Sequence, residues 1–179
     1  LTKRNVVYNF RQNDLKNGGE GAPLTPIYHK LLVKLLEEEN KLKTPVIILN
    51  IGGIANITSI NNTYDMKSLD IGPGNCLIDK WIRANSDKNF DDDGNIAKLG
   101  KVDKFILNQA LDNYYFYKIS EKKSLDTNDF DISFSRGLSL ENGAATLTEL
   151  TAEILSKKLL DNNIYVCGGG RKNTFLINS

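Results

Sequence analysis

The chain has 179 residues, 40% of them hydrophobic, enough to bury a sizeable core as one domain. Its 23 Lys and Arg against 22 Asp and Glu leave a formal net charge of +1, which offers no electrostatic footprint for nucleic acid or an anionic membrane. No apolar run reaches membrane-spanning length and no signal peptide is found, so a cytoplasmic protein is expected, with Cys76 and Cys167 as buried free thiols.

Taken in chain order, Asn5 to Phe10 reads as a strand, followed by a polar loop through Arg11, Gln12, Asn13 and Asp14 and then by Gly18-Gly19-Glu20-Gly21-Ala22-Pro23. Ile27, Tyr28, Leu31, Leu32, Leu35 and Leu36 recur at helical spacing and predict an amphipathic helix with that stripe inward. His29, the single histidine, is expected at the surface or helix end. After Pro45, Val46-Ile47-Ile48-Leu49 predicts a buried strand, and Asn56 to Ile60 a second, joined as a hairpin through Gly52-Gly53. A turn at Asn61-Asn62 leads to a third strand from Tyr64 to Leu69, ending at Asp70. Beyond Gly72-Pro73-Gly74 a helix is predicted, N-capped by Asn75, with Leu77, Ile78, Trp81 and Ile82 on one face.

Residues 87–134 are charged and aromatic and read as a helical insertion, with one helix around Val102 to Leu111. Its Tyr114-Tyr115-Phe116-Tyr117 cluster is expected in core and subunit contacts. A long helix follows, with Leu147, Leu150, Ile154, Leu155 and Leu159 as its buried stripe; then comes a strand over Ile164 to Cys167, then the start of an apolar helix at Thr174. The order suits a mixed sheet covered by helices. Both ends read as cut from something longer.

Three glycine turns close apolar runs: Asn50-Ile51-Gly52-Gly53-Ile54-Ala55-Asn56, Asp70-Ile71-Gly72-Pro73-Gly74-Asn75 and Cys167-Gly168-Gly169-Gly170-Arg171-Lys172-Asn173. Such turns reach positive φ and carry no Cβ to hold a ligand away, so backbone amides can approach a phosphate. No Gly-x-x-x-x-Gly-Lys-Ser/Thr loop occurs, and Asn89, Asp91, Asp93 and Gly94 mimic an EF-hand only until Gly100 stands where its glutamate belongs. No metal site is expected from the protein's own ligands.

The wording of these turns, with Phe10-Arg11 and Gly18-Gly19-Glu20-Gly21-Ala22-Pro23-Leu24, resembles the anhydro-N-acetylmuramic acid kinases of bacterial cell-wall recycling. These belong to the actin-like ATPase superfamily, with sugar kinases and Hsp70-type proteins. The resemblance implies a single ribonuclease-H-like lobe over residues 1–179, the second lobe of a two-lobe kinase. It implies ATP and Mg²⁺ as cofactors, anhydro-N-acetylmuramic acid as substrate and a homodimer. Asp70 matches the general base that draws a proton from the bridge-opening water. Gly52 and Gly53 fall on the phosphate side of the nucleotide, Gly168, Gly169, Gly170 and Asn173 on the adenosine side, Asn56, Gly72 and Gly74 elsewhere among the nucleotide-binding residues, and Arg11 and Glu20 at the sugar.

Departures are visible as well. Asn9 stands where the family has aspartate before Phe-Arg, Glu20 where glutamine is common, and Lys123-Ser124-Leu125-Asp126-Thr127 where the family has Lys-Ser-Thr-Gly-Arg. The family's leading Gly-Thr-Ser-x-Asp-Gly loop has no counterpart in these residues. The other lobe is therefore expected in cis or in trans, and the alternatives are an inactive remnant of such a kinase or another actin-like small-molecule kinase or phosphatase.

Overall fold

In the computed structural model, which describes residues 3–19, 21, 24–112, 124–159 and 163–179, the β-branched runs become one mixed sheet. Its strands are β1 (Val46–Ile51), β2 (Ile54–Ile60), β3 (Met66–Pro73) and β4 (Asn163–Cys167), in the order β3-β2-β1-β4. The first three form an antiparallel meander and β4 lies parallel to β1. This is the expected α/β arrangement of a ribonuclease-H-like sheet covered by helices. Strand β3 starts at Met66 instead of Tyr64, because Tyr64 sits at φ 60° and an extended strand cannot pass through it.

The helices are α1 (Phe10–Lys16), α2 (Pro26–Glu38), α3 (Cys76–Asn85), α4 (Lys104–Asp112), α5 (Leu140–Ser156) and α6 (Thr174–Asn178). Side-chain alternation sorts the sheet into two faces. Ile47, Leu49, Ile51, Ala55, Ile57 and Ile71 pack toward α5 and α6 through Leu155 and Leu176. Val46, Ile48 and Ile60 pack toward α2 through Val33. Further out, α3 and α5 sandwich a third cluster in which Leu77, Ile82, Leu147 and Leu150 are wholly buried. Each such side chain contributes about 1.5–3 kcal/mol by leaving water. Gly143 makes room for Trp81, whose indole Nε1 donates to the Leu140 carbonyl at 2.9 Å. The α5 stripe is as expected except Leu159, which lies past the helix end and packs from outside it.

Two readings of the first quarter are corrected. Asn5 to Phe10 is not a strand: no partner strand exists for it among the described residues, and Val6, Val7 and Tyr8 are exposed. A strand without a ladder leaves its backbone groups to water. The supposed polar loop after it is instead helix α1. Helix α2 forms where predicted but is rotated about its axis. Ile27, Tyr28, Leu31 and Leu35 face outward, while Val33 and His29 face the sheet. His29 is thus buried, not superficial. Its Nδ1 pairs with Thr58 Oγ1 at 2.9 Å, and that inward hydroxyl of β2 selects the helix face that can satisfy it.

Within residues 87–134, α4 is the expected helix, joined by short 3₁₀ turns at Asp92–Gly94, Ala97–Leu99, Thr127–Asp129 and Ser133–Ser135. The Tyr114–Tyr117 cluster lies outside the described residues. Asp91, one of the EF-hand-like carboxylates, turns inward to accept from the Ile96 and Ala97 amides at 2.8 and 2.9 Å. Among the described residues no helix is long and apolar enough to cross a membrane.

Candidate functional site

Polar residues interrupt the α2-facing side of the sheet at one end. On that face Ile48, Thr58 and Ser68 stand side by side on β1, β2 and β3, and two residues further along stand Asn50, Asn56 and Asp70. The pairs Asn50↔Asn56 and Asn56↔Asp70 put three polar side chains in one row, extended on β4 by Cys167, whose thiol lies 3.7 Å from Asn50 Oδ1. A register shift beside the row, from Ala55↔Gly72 to Asn56↔Asp70, leaves Ile71 without a partner on β2. Bulges of this kind re-aim side chains at strand ends. The row forms the floor of a cleft of about 690 Å³. Arg11 and Leu15 of α1, Thr25 before α2, and residues 124–127 wall it, with Gly52 and Gly53 at its rim.

Asp70 is held in place from the far side of the insertion. Its Oδ2 accepts from the Leu125 amide at 2.9 Å. The segment supplying that amide is anchored by Lys80 Nζ, which donates to the carbonyls of Thr127 at 2.5 Å and Phe130 at 2.7 Å, and by Phe130, 1% exposed. Asp126 and Asp129 close a capping box around the same turn. A carboxylate fixed by a backbone donor keeps one orientation.

The glycines separate into two kinds. A Cβ at Gly74 would lie 2.2 Å from the Gly52 carbonyl oxygen, one at Gly72 2.7 Å from Ile154, one at Gly170 2.3 Å from Ile51, and one at Gly168 2.5 Å from Asn50 Oδ1. Gly168 also sits at φ 83°. Chain packing alone accounts for these four. Gly52, Gly53 and Gly169 differ: their φ values are not positive, and the nearest groups to an added Cβ would be at 3.4, 3.3 and 3.9 Å. Packing bars a side chain outright at none of these three positions, Gly52 and Gly53 being tight and Gly169 in ordinary contact, and each of them lines a cleft.

The amides opening α3 are already used. Those of Gly74 and Cys76 donate to the Gly53 carbonyl, and that of Asn75 to Gly52 at 2.8 Å. Asn75 makes no side-chain cap, contrary to expectation; its side chain lies instead against the triple-glycine turn. Asn173 caps α6 through its Oδ1, which accepts from Leu176 N at 3.0 Å. Beyond Asn75 opens a second cleft, of about 460 Å³, between α3, residues 89–93 and Gly169, Lys172 and Asn173.

The structure thus brings Asp70, Asn56, Gly52, Gly53 and Arg11 together in the first cleft, and Gly169 and Asn173 in the second. Gly72, Gly74, Gly168 and Gly170 line neither cleft and lie in the packing between and beneath them. Glu20 is outside the described residues. Asn50 and Thr25 are additions absent from the predicted site, and the 124–127 segment, noted in the sequence only as a departure from the family, lines the cleft. Asn50 had a visible signal, as a polar residue in an otherwise apolar strand; the 124–127 segment reaches the site only by tertiary return. Burial pushes the Cys76 thiol up to about 11, so this cysteine stays neutral beside the site.

Among the described residues no group of three or more His, Cys, Asp or Glu is arranged to hold a metal ion. Mg²⁺ in phosphoryl-transfer sites takes one or two carboxylates, the rest of its shell being phosphate oxygens and water. Asp70 and Asp126, the carboxylates lining the first cleft, fit that limited demand.

Comparison with known proteins gives a consistent picture. The chain matches the family model described as anhydro-N-acetylmuramic acid kinase over residues 1–179. It is 49% identical, over its whole length, to an anhydro-N-acetylmuramic acid kinase of Pelagibacter ubique, of which it covers 50%. Proteins of the same description from Caulobacter vibrioides and Zymomonas mobilis are 42% and 40% identical over 97% and 98% of the chain, which covers 47% and 48% of them. The chain spans about half the length of these curated relatives.

Proposed function

The chain belongs to the anhydro-N-acetylmuramic acid kinase family, and on that premise we propose that it forms the nucleotide- and base-bearing lobe of a cytoplasmic kinase that phosphorylates anhydro-N-acetylmuramic acid with ATP. Water adds to C1 of the sugar, the C1–O6 bond of the anhydro bridge breaks, and the freed O6 attacks the γ-phosphate, releasing ADP. Asp70 takes the proton from the water. Asn50 and Asn56 beside it bind sugar or water oxygens, and Arg11 faces the same cleft as a cation for sugar or phosphate oxygens. Phosphoryl transfer demands mainly positioning and charge stabilisation.

The single observation that carries this reading is the placing of a fixed carboxylate and a row of asparagines in one cleft with Gly52 and Gly53, glycines at which chain packing does not bar a side chain outright. Backbone without Cβ atoms at that rim admits a phosphate chain. Mg²⁺, when bound, would supply charge neutralisation at the phosphates, with Asp126 as protein ligand. Gly169 and Asn173 accommodate the nucleoside side. Kinases of this class close two lobes over the nucleotide, so turnover needs the part of the relatives that this chain does not span, in cis or in trans, and the homodimer belongs to that complete enzyme.

The test is formation of sugar 6-phosphate and ADP from anhydro-N-acetylmuramic acid, Mg²⁺ and ATP, by the chain alone and then with the remaining half of a family member supplied. Turnover only on complementation supports the lobe assignment. Folded protein without turnover in either case overturns it.

A further inference from the structure

The carboxylates of the second cleft have no part in the function as proposed. We propose that Asp79 is a specificity residue that accepts hydrogen bonds from the ribose hydroxyls of the bound nucleotide; this rests on the kinase reading. Three observations lead there.

The two clefts are lined by neighbouring residues. Gly52 lines the first and Asn75 the second, and the Asn75 amide donates to the Gly52 carbonyl at 2.8 Å. A ligand with its reactive phosphate over Gly52-Gly53 runs past Asn75 and Gly169 into the space beyond, and about 460 Å³ lies within the range of small-molecule sites. The charges then fix which end goes where. Asp79, Asp91, Asp92 and Asp93 line the second cleft against Arg83 and Lys172. An acidic wall repels phosphates and admits the uncharged nucleoside end.

Accounting for those carboxylates singles out one. Both oxygens of Asp91 are taken by the Ile96 and Ala97 amides. Asp93 accepts from the Thr174 amide and from Lys98 Nζ, each at 3.0 Å. Asp92 is exposed to water. Asp79 is half-buried on the first turn of α3, and no described group donates to its carboxylate. Arg83, one turn later, donates instead to the Asn89 carbonyl at 3.2 Å. Burial holds the Asp79 carboxyl above the ordinary range, against the smaller opposing pull of the Arg83 charge. A partly desolvated carboxylate with two acceptor oxygens suits a vicinal diol. Phe90, 56% exposed and lining the same cleft, offers an apolar ring to the base.

The experiment is equilibrium binding of ATP and of 2′,3′-dideoxy-ATP, with Mg²⁺, to the wild-type chain and to Asp79→Ala, each complemented with the remaining half of a family member, folding being checked by circular dichroism. Loss of a charge-assisted hydrogen bond is expected to weaken the wild-type affinity for the dideoxy nucleotide about 10- to 100-fold relative to ATP. Asp79→Ala should bind ATP with that weakened affinity and no longer tell the two nucleotides apart. Equal wild-type affinities, or a variant that still discriminates, overturn the role of Asp79 while leaving the kinase reading in place. Complemented wild-type enzyme that binds neither nucleotide overturns the kinase reading, and this inference with it. Because the dideoxy comparison is made on wild-type protein, it does not depend on the variant folding.

Discussion

At the residue scale, Asp70 and the glycines make separable demands. Asp70→Asn keeps the shape of the cleft floor and removes only the basic oxygen. In the complemented enzyme it is expected to lower kcat by at least about 100-fold, with ATP affinity nearly unchanged. Equal losses in binding and turnover would contradict the base assignment. For the glycines, the expected split is between stability and binding. Gly74→Ala drives a methyl into the Gly52 carbonyl and should cost about 1–3 kcal/mol in urea unfolding. Gly169→Ala makes only ordinary contact with Asn75, so the same unfolding curve should stay within about 0.5 kcal/mol of wild type, while ATP affinity falls. A Gly169→Ala variant that binds ATP normally would remove that backbone from the ligand path.

At the scale of elements, α2 shows how a polar pair can outweigh a hydrophobic pattern. Its apolar stripe of Ile27, Tyr28, Leu31 and Leu35 is the wider one, yet the helix docks through Val33 and His29. At its other end the Glu37 carboxylate accepts from the Thr44 amide, the Thr44 hydroxyl and the Tyr64 phenol. Burial lowers the His29 pKa below the ordinary imidazole range. The folded state therefore binds this proton less readily than the unfolded chain, and the associated stability is whole above about pH 6.5 and lost as the pH falls through the lower folded value. The urea midpoint is expected to drop between pH 7.5 and pH 5.5, with less of a drop in His29→Gln. An identical pH profile in the two proteins would show that His29 does not hold the helix. The Glu37 pKa is also lowered, chiefly by Tyr64, but its contribution fades further into the acid, through the carboxylate range.

At the scale of the whole molecule, apolar surface is left uncovered. Val6, Val7 and Tyr8, the outward face of α2, and Ile164, Tyr165 and Val166 on edge strand β4 are all exposed. Patches and open strand edges of this kind promote association. The chain alone is expected to sediment as a concentration-dependent mixture and to bind a hydrophobic dye, and Leu31→Lys with Leu35→Glu should reduce both. A monodisperse monomer without dye binding at high concentration would show that these surfaces are innocuous.

How much could be read in advance follows from the range of the interactions involved. The strands over Val46 to Leu49 and Ile164 to Cys167, the helix after Gly74 and the α5 stripe are set by local periodicity, and turn composition marked Gly52-Gly53 and Gly168-Gly169-Gly170. Asp70, too, could be singled out from sequence, because its turn carries wording shared with a family. The sequence read alone could not say which side of α2 faces inward, since that depends on a hydroxyl on another element, nor that Asn5 to Phe10 lacks a strand partner. It could not separate Gly74 from Gly169, because the first is required by a carbonyl that arrives from another turn and the second is not. Leu125 and Asp79 owe their places to chain segments far apart in sequence, and only tertiary packing determines which polar groups are already satisfied and which remain turned toward a ligand.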